Sequence, residues 1–191
     1  LRIDDGAAPN PFWNVCTLAI CKPASKRNGK IEDWVIGTGS KNSEWNDGNT
    51  HELSDSLVYA MKVSNKMTLA DYDNYCKQNL PDKIPSWFNK DWRRRMGDCI
   101  YNFSNEETST IRKSVHNDTN RKTDLSGLNA LLSDHFYYFG EEARPIPQEL
   151  KQIIKRNQGH KVIQQGELIE KFETWIKHFK LNKIYADPQL R

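Results

Sequence analysis

Apolar positions along this chain fall into short runs with two periodicities. Runs rich in β-branched and aromatic residues, closed by glycine or proline, predict strands over residues 14–21, 33–40 and 56–66. Lys22-Pro23 ends the first, and Gly37-Thr38-Gly39 turns the second. Helical spacing begins at Thr68, where Asp71 three residues on resembles a capping box and Leu69, Tyr72 and Tyr75 or Cys76 form an apolar stripe to about Asn79. It returns after Pro147 with Leu150, Ile153 and Ile154, and again over residues 167–181 with Leu168, Phe172, Trp175, Ile176 and Phe179. Between these lie polar stretches at 41–55 and 102–123 that read as loops.

The densest pattern is Ser133-Asp134-His135-Phe136-Tyr137-Tyr138-Phe139-Gly140, read as one strand. Alternation puts Asp134, Phe136 and Tyr138 on one face and His135, Tyr137 and Phe139 on the other. Two readings follow: a central strand under packed helices, or a strand whose polar face lines a ligand pocket.

A length of 191 residues suits one domain, and 37% hydrophobic with 28% charged residues describes an ordinary globular chain. No apolar run approaches the roughly 20 residues of a membrane helix, and no secretory leader is read, so a cytoplasmic protein without membrane partners is expected. The formal charge of +3, from 28 Lys and Arg against 25 Asp and Glu, permits anionic partners without demanding them. Cys16, Cys21, Cys76 and Cys99 contain no C-x-x-C pair, and Cys16 and Cys21 on one strand would face opposite ways. Reduced thiols and no metal site are the expectation.

Candidate chemistry is sparse. Gly37-Thr38-Gly39-Ser40-Lys41 lacks phosphate-loop spacing, which leaves Thr38 or Ser40 as a donor to a polar ligand. Lys90 and Arg93-Arg94-Arg95, interleaved with Trp87 and Trp92, form the clearest basic patch; it reads as phosphate contacts beside stacking rings, or as a solvated face. Asp98, His116, Asp134 and His135 could be set together on paper for acid–base work, with no spacing that supports it. No His-Glu-x-x-His and no G-x-S-x-G occurs. Trp13, Trp34, Tyr59, Tyr101, Tyr137 and Tyr138 suffice for an aromatic pocket or for core packing.

Several phrases then carry a resemblance: Ala8-Pro9-Asn10-Pro11-Phe12-Trp13, Cys16 to Pro23, Asp33 to Ser40, Leu57-Val58-Tyr59-Ala60-Met61-Lys62-Val63, and Ser133 to Gly140. Together they resemble the nucleotide modification associated domain 2 family. Residues 33–72 are similar, more loosely, to PUA-like domains such as EVE, ASCH and YTH modules. The resemblance implies an α+β fold, a PUA-like curved mixed sheet or small β-barrel with flanking helices, as a single domain over 1–191 with rim insertions and a C-terminal helix.

It also implies a pocket. Asn10 would read a base edge and Trp13 would stack on one wall; Gly37, Thr38, Gly39 and Ser40 would form the floor; Tyr59, Tyr101, His135, Tyr137 and Tyr138 would supply other walls. Lys90, Arg93, Arg94 and Arg95 would attract phosphate outside it. The leading expectation is recognition of a modified base or nucleotide, in DNA, in RNA or free, without a cofactor. An enzyme acting on a modified nucleotide is the alternative, and a protein-interaction module of a DNA-modification or phage-defence system is the third.

Overall fold

A computed structural model of the chain describes residues 1–104, 109–157 and 159–190. Its elements run β1 (Cys16–Leu18), α1 (Pro23–Asn28), β2 (Trp34–Thr38), β3 (Ser43–Glu44), β4 (Thr50–His51), β5 (Ser56–Lys62), β6 (Asn65–Thr68) and α2 (Leu69–Asn79). There follow β7 (Tyr101–Asn102), β8 (Thr110–Ile111), α3 (Asp118–Leu125), β9 (Asn129–Ser133), β10 (His135–Tyr138), β11 (Arg144–Pro145), α4 (Gly166–Ile176) and β12 (Lys183–Ile184). The chain divides into two compact units: Leu1–Asp4, Ile36–Met61 and His135–Leu190 form the first; Asp5–Val35 and Lys62–Asp134 belong to the second.

The first unit holds a five-stranded sheet of order β11-β5-β10-β12 with β2 also on β5, and the hairpin β3-β4. β5 is buried from Leu57 to Met61 because both of its faces are apolar. β12 joins β10 in parallel, with Tyr137 opposite Lys183. α4 buries the stripe Leu168, Phe172 and Ile176, and the rings of Phe139 and Phe179 meet edge to face at 4.9 Å. Tyr138 donates its hydroxyl to both carboxylate oxygens of the buried Asp4, at 2.7 and 2.8 Å.

The second unit is built on the three-stranded antiparallel sheet β1-β9-β6, with Cys16 opposite Ser133 and Asn65 opposite Leu132. α2 packs on it. Its stripe Leu69, Tyr72 and Cys76 meets Ala19, Cys99, Ala130 and Leu132 in one apolar core. Thr68 caps the helix by accepting from the Asp71 N–H at 3.1 Å, as the sequence pattern predicts. The polar stretch after Asn102 contains β8 and α3 rather than only loop; Asn117 and Asn120 cap α3 reciprocally. Residues 105–108 of that stretch lie outside the described residues.

Two expectations are corrected. The fold is α+β, but it is not PUA-like: the described strands form separate sheets of three, five, two and two, and neither a barrel nor a curled, closed sheet is present. Closure needs strands long enough to tilt and to keep a continuous staggered ladder, whereas most strands here span two to five residues. The 133–140 stretch is likewise not one strand. It breaks at Asp134, and β9 and β10 join different sheets. Ser133 Oγ donates to the Lys62 carbonyl at 2.6 Å and the Asp134 N–H donates to Ser64 Oγ at 3.2 Å, so side chains replace the ladder at the break.

Candidate functional site

The second unit gathers nucleophilic and titratable side chains from three segments. β1 runs through Ala19 and Ile20 into a tight turn, and Pro23 opens α1 at its first position, where its missing N–H is harmless. Between them Cys21 and Lys22 hold positive φ angles of 54° and 41°. Left-handed backbone at two successive non-glycine residues is strained. The result presents the Cys21 side chain, half exposed, at a strand-to-helix turn.

His116 immediately precedes the Asn117 cap, and Asp124 lies in the last turn of α3. His116 Nε2 is 3.5 Å from Cys21 Sγ, and its Nδ1 is 2.6 Å from Asp124 Oδ2. The other carboxylate oxygen accepts the Cys21 backbone N–H at 2.8 Å. Tyr101 donates its hydroxyl to Asp124 Oδ2 at 3.1 Å. Lys26 is fully buried and donates to the Ala19 carbonyl at 2.6 Å and the Asp124 carbonyl at 2.9 Å, which ties the cysteine turn to the end of α3. Gly127 makes room for it, since a Cβ there would stand 2.1 Å from Lys26 Cε.

Charge follows this arrangement. Burial pushes the His116 ring down, but the Asp124 carboxylate and the Cys21 sulfur outweigh it and raise the ring to about 10. Asp124 is held below its ordinary value: burial opposes this, but the His116 ring, the Cys21 N–H and the Tyr101 hydroxyl prevail. Burial lowers Lys26 to about 8.

Ligand atoms of Cys21, His116 and Asp124 lie within 4.8 Å of one another, close enough to hold a metal ion. The donor set favours another use. Both Asp124 oxygens are already hydrogen-bonded, Oδ2 with His116 Nδ1 and Oδ1 with the Cys21 N–H. A zinc site draws three or four protein ligands, with a carboxylate behind the histidine as support. A thiol, an imidazole at its side and a carboxylate on the far ring nitrogen are instead in the order of a nucleophile, a base and its orienting group.

The sequence-predicted residues fall in both units. In the second, Asn10 is fully buried: its Nδ2 donates to the Gly6 and Met96 carbonyls at 3.1 and 2.8 Å, and its Oδ1 accepts from Lys83 Nζ at 2.7 Å. Trp13 is half buried with φ 67°, and the Arg94 guanidinium lies 5.7 Å from its ring. Arg93 lies 5.2 Å from the Trp92 ring. Trp13 Nε1 and Arg95 Nε are buried donors with no acceptor among the described residues. Lys90 is exposed, and Tyr101 sits against Asp124. The neighbouring Lys113 stands 4.5 Å from the ring of Phe88, which is 86% exposed.

In the first unit, Gly37 packs under Tyr59, where a Cβ would come within 2.0 Å of the ring; Gly39 packs against Leu53 in the same way. The Ser40 N–H donates to Ser43 Oγ at 3.1 Å, and Thr38 is half buried. His135 and Tyr137 have ring centroids 5.9 Å apart, with Tyr137 buried, and Tyr138 is fully buried against Asp4. Of the acid–base set drawn on paper, Asp98 is buried under the Tyr72 hydroxyl at 2.7 Å and the Ala19 N–H at 3.1 Å, which makes it a packing group.

Sequence reading missed the Cys21–His116–Asp124 set because it weighed Cys21 only against Cys16. One local signal was present: a cysteine at a strand end, two residues before a proline that can open a helix.

Residues 1–190 match the family model described as nucleotide modification associated domain 2. No curated protein and no solved structure matches the chain. Among the described residues no helix is long and apolar enough to cross a membrane.

Proposed function

From the premise that the chain belongs to the nucleotide modification associated domain 2 family, we propose that it recognises a modified base or nucleotide through the Trp13–Arg94–Arg95 face of its second unit. The observation that carries the reading is that Trp13 Nε1 and Arg95 Nε, two of the four buried side-chain N–H donors without an acceptor among the described residues, both belong to the second unit. Buried N–H groups are nearly always paired, and a base carbonyl or a phosphate oxygen is an acceptor of the required kind. The Trp13 ring adds a stacking surface worth about 1–3 kcal/mol per base. Arg93, Arg94 and exposed Lys90 supply charge for phosphate.

In this reading Asn10 positions rather than reads: its amide fastens the turn before Trp13 to Met96 and Lys83. On the first unit Gly37, Gly39, Tyr59, Tyr137 and Tyr138 are buried, which leaves Thr38, Ser40 and His135 as the half-exposed groups of the expected pocket. The family match runs over both units, which supports reading 1–190 as one functional module.

The test is a binding screen over modified nucleosides, nucleotides and single-stranded DNA and RNA oligonucleotides. Trp13→Phe keeps a ring and removes the N–H, and is expected to weaken binding about three- to tenfold; Trp13→Ala weakens it further. Arg94→Ala reduces the salt dependence of oligonucleotide binding. A parent protein that binds nothing in the panel, or variants that bind like the parent, overturns the reading.

A further inference from the structure

Cys21, His116 and Asp124 form a relay that recognition alone does not require. Cys21 is half exposed at a strand-to-helix turn, His116 Nε2 is 3.5 Å from its sulfur, and the far ring nitrogen meets a buried carboxylate at 2.6 Å. Cys21 and Lys22 are held at successive left-handed backbone angles, as Trp13 and Asn14 are, and strain of this kind clusters at functional sites. The carboxylate is itself fixed by Tyr101 and by the Cys21 N–H, so the order of the three groups is set by hydrogen bonds rather than by side-chain chance.

We propose that Cys21 is a catalytic nucleophile, with His116 as its general base and acid and Asp124 as the orienting carboxylate, and that the chain is a thiol hydrolase acting on an acyl group, amide or ester, carried by a base or nucleotide. The acyl-transfer part rests on the relay geometry; the nucleotide part rests on the recognition reading.

The chemistry balances without a redox partner. The proton shared by the Cys21–His116 pair rests on His116 Nε2 at the start, and sulfur bonds to the carbonyl carbon as the C=O π electrons move to oxygen. When the tetrahedral species collapses, the C–N or C–O bond breaks and the leaving amine or alcohol takes the proton from His116 Nε2, which leaves a thioester on Cys21. Water then attacks the thioester carbon and passes a proton to His116; the C–S bond breaks, sulfur leaves with the bonding pair, and the proton stays on His116, which restores the starting pair. The sum is acyl compound plus water to carboxylic acid plus amine or alcohol. The raised His116 ring agrees with a proton that rests on Nε2 before attack and returns there after hydrolysis.

Lys26 is a positioning residue in this scheme. Its hydrogen bonds go to the Ala19 and Asp124 carbonyls, which it holds together.

The experiment uses the full chain and p-nitrophenyl acetate, followed by nucleosides acylated on an exocyclic amine. A burst of p-nitrophenolate stoichiometric with protein is expected, with the acetyl group found on Cys21 by peptide mass spectrometry. The parent should acylate at least 100-fold faster than glutathione at the same pH, which needs no variant to decide. Cys21→Ser and Cys21→Ala should show no adduct. His116→Gln should lower acylation about 10²–10⁴-fold, and Asp124→Asn should lower it while changing its pH profile, each checked for native circular dichroism. Acylation no faster than glutathione, acetyl placed elsewhere, or folded His116→Gln that acylates like the parent overturns the proposal. Nucleotide binding retained by Cys21→Ala separates the two readings: its absence in the parent would sink recognition while leaving acyl transfer standing, and hydrolysis of p-nitrophenyl acetate with every acylated nucleoside untouched would overturn the assigned substrate class.

Discussion

The backbone N–H of Cys21 donates to Asp124 Oδ1 at 2.8 Å across 103 residues of sequence. The carboxylate that orients His116 therefore also sets the turn that carries the sulfur. Geometry and stability are coupled at this residue, because one side chain serves the ring, the turn and the Tyr101 hydroxyl together.

Asp124→Ala removes all three of those partnerships at a buried position. It is expected to destabilise the protein by about 2–4 kcal/mol, since the Cys21 N–H and the Tyr101 hydroxyl lose their acceptor. Urea denaturation of parent and variant measures this. Asp124→Asn retains an acceptor oxygen and should cost about half as much; equal losses in both variants would mean that charge, not acceptor geometry, holds the turn.

The pH dependence of stability has a defined sign at His116. Its ring is raised from 6.5 to about 10 in the folded protein, so the native state holds the proton more tightly than the unfolded chain. The stability it contributes is fully present below pH 6.5 and is lost as pH rises toward 10. Lys26 and Lys83 act in the opposite sense between about 8 and 10.5, because burial lowers both and the unfolded chain takes up their protons more readily. The comparison is therefore the parent minus His116→Gln, which should fall by on the order of 2–4 kcal/mol between pH 6.5 and 10. A flat difference across that range would show that the ring is not held as an imidazolium.

Local signals in the sequence were read well where they are local in space. Thr68 with Asp71 announces α2, and Leu168, Phe172 and Ile176 announce α4, because caps and stripes act within one or two turns. The break at Asp134 was not legible: the hydroxyl that replaces the ladder belongs to Ser64, 70 residues away. The barrel expectation failed for a related reason, since alternation within a run reveals a strand but not which sheet it joins. The relay was hidden in the same manner. His116 looks like a loop residue until the Asn117 cap turns the chain into α3 and brings Asp124 beneath the ring.

Gly37 gives a sharper case, because the glycine pair in 37–39 suggested a ligand floor. A Cβ at Gly37 would lie 2.0 Å from Cε1 of the buried Tyr59 ring. Gly37→Ala should therefore destabilise the protein by about 1–3 kcal/mol through overpacking. Thermal melting of Gly37→Ala, alone and with Tyr59→Leu, tests it. Rescue by the second substitution is expected; a single variant as stable as the parent would show that the ring can move aside and leave Gly37 available for another role.

Asn10 and Lys83 set the last prediction. Lys83 is buried and donates to the Asn10 carbonyl at 2.9 Å, to Asn10 Oδ1 at 2.7 Å and to the Val15 carbonyl at 2.5 Å. Asn10 in turn pairs its backbone with Thr17 and its Nδ2 with Gly6 and Met96. Replacing Asn10 by alanine takes one acceptor from a buried ammonium and two donors from buried carbonyls, a loss of about 2–4 kcal/mol. Lys83→Met removes the charge together with its desolvation penalty but strands three acceptors, so it should cost less than Asn10→Ala even though its side chain is the larger polar group. Guanidinium denaturation of the two single variants and the double variant measures their coupling, which is expected to be at least about 1 kcal/mol. Simple additivity would mean that Lys83 finds other acceptors when Asn10 is gone, and would return the Asn10 amide to the list of groups able to meet a ligand.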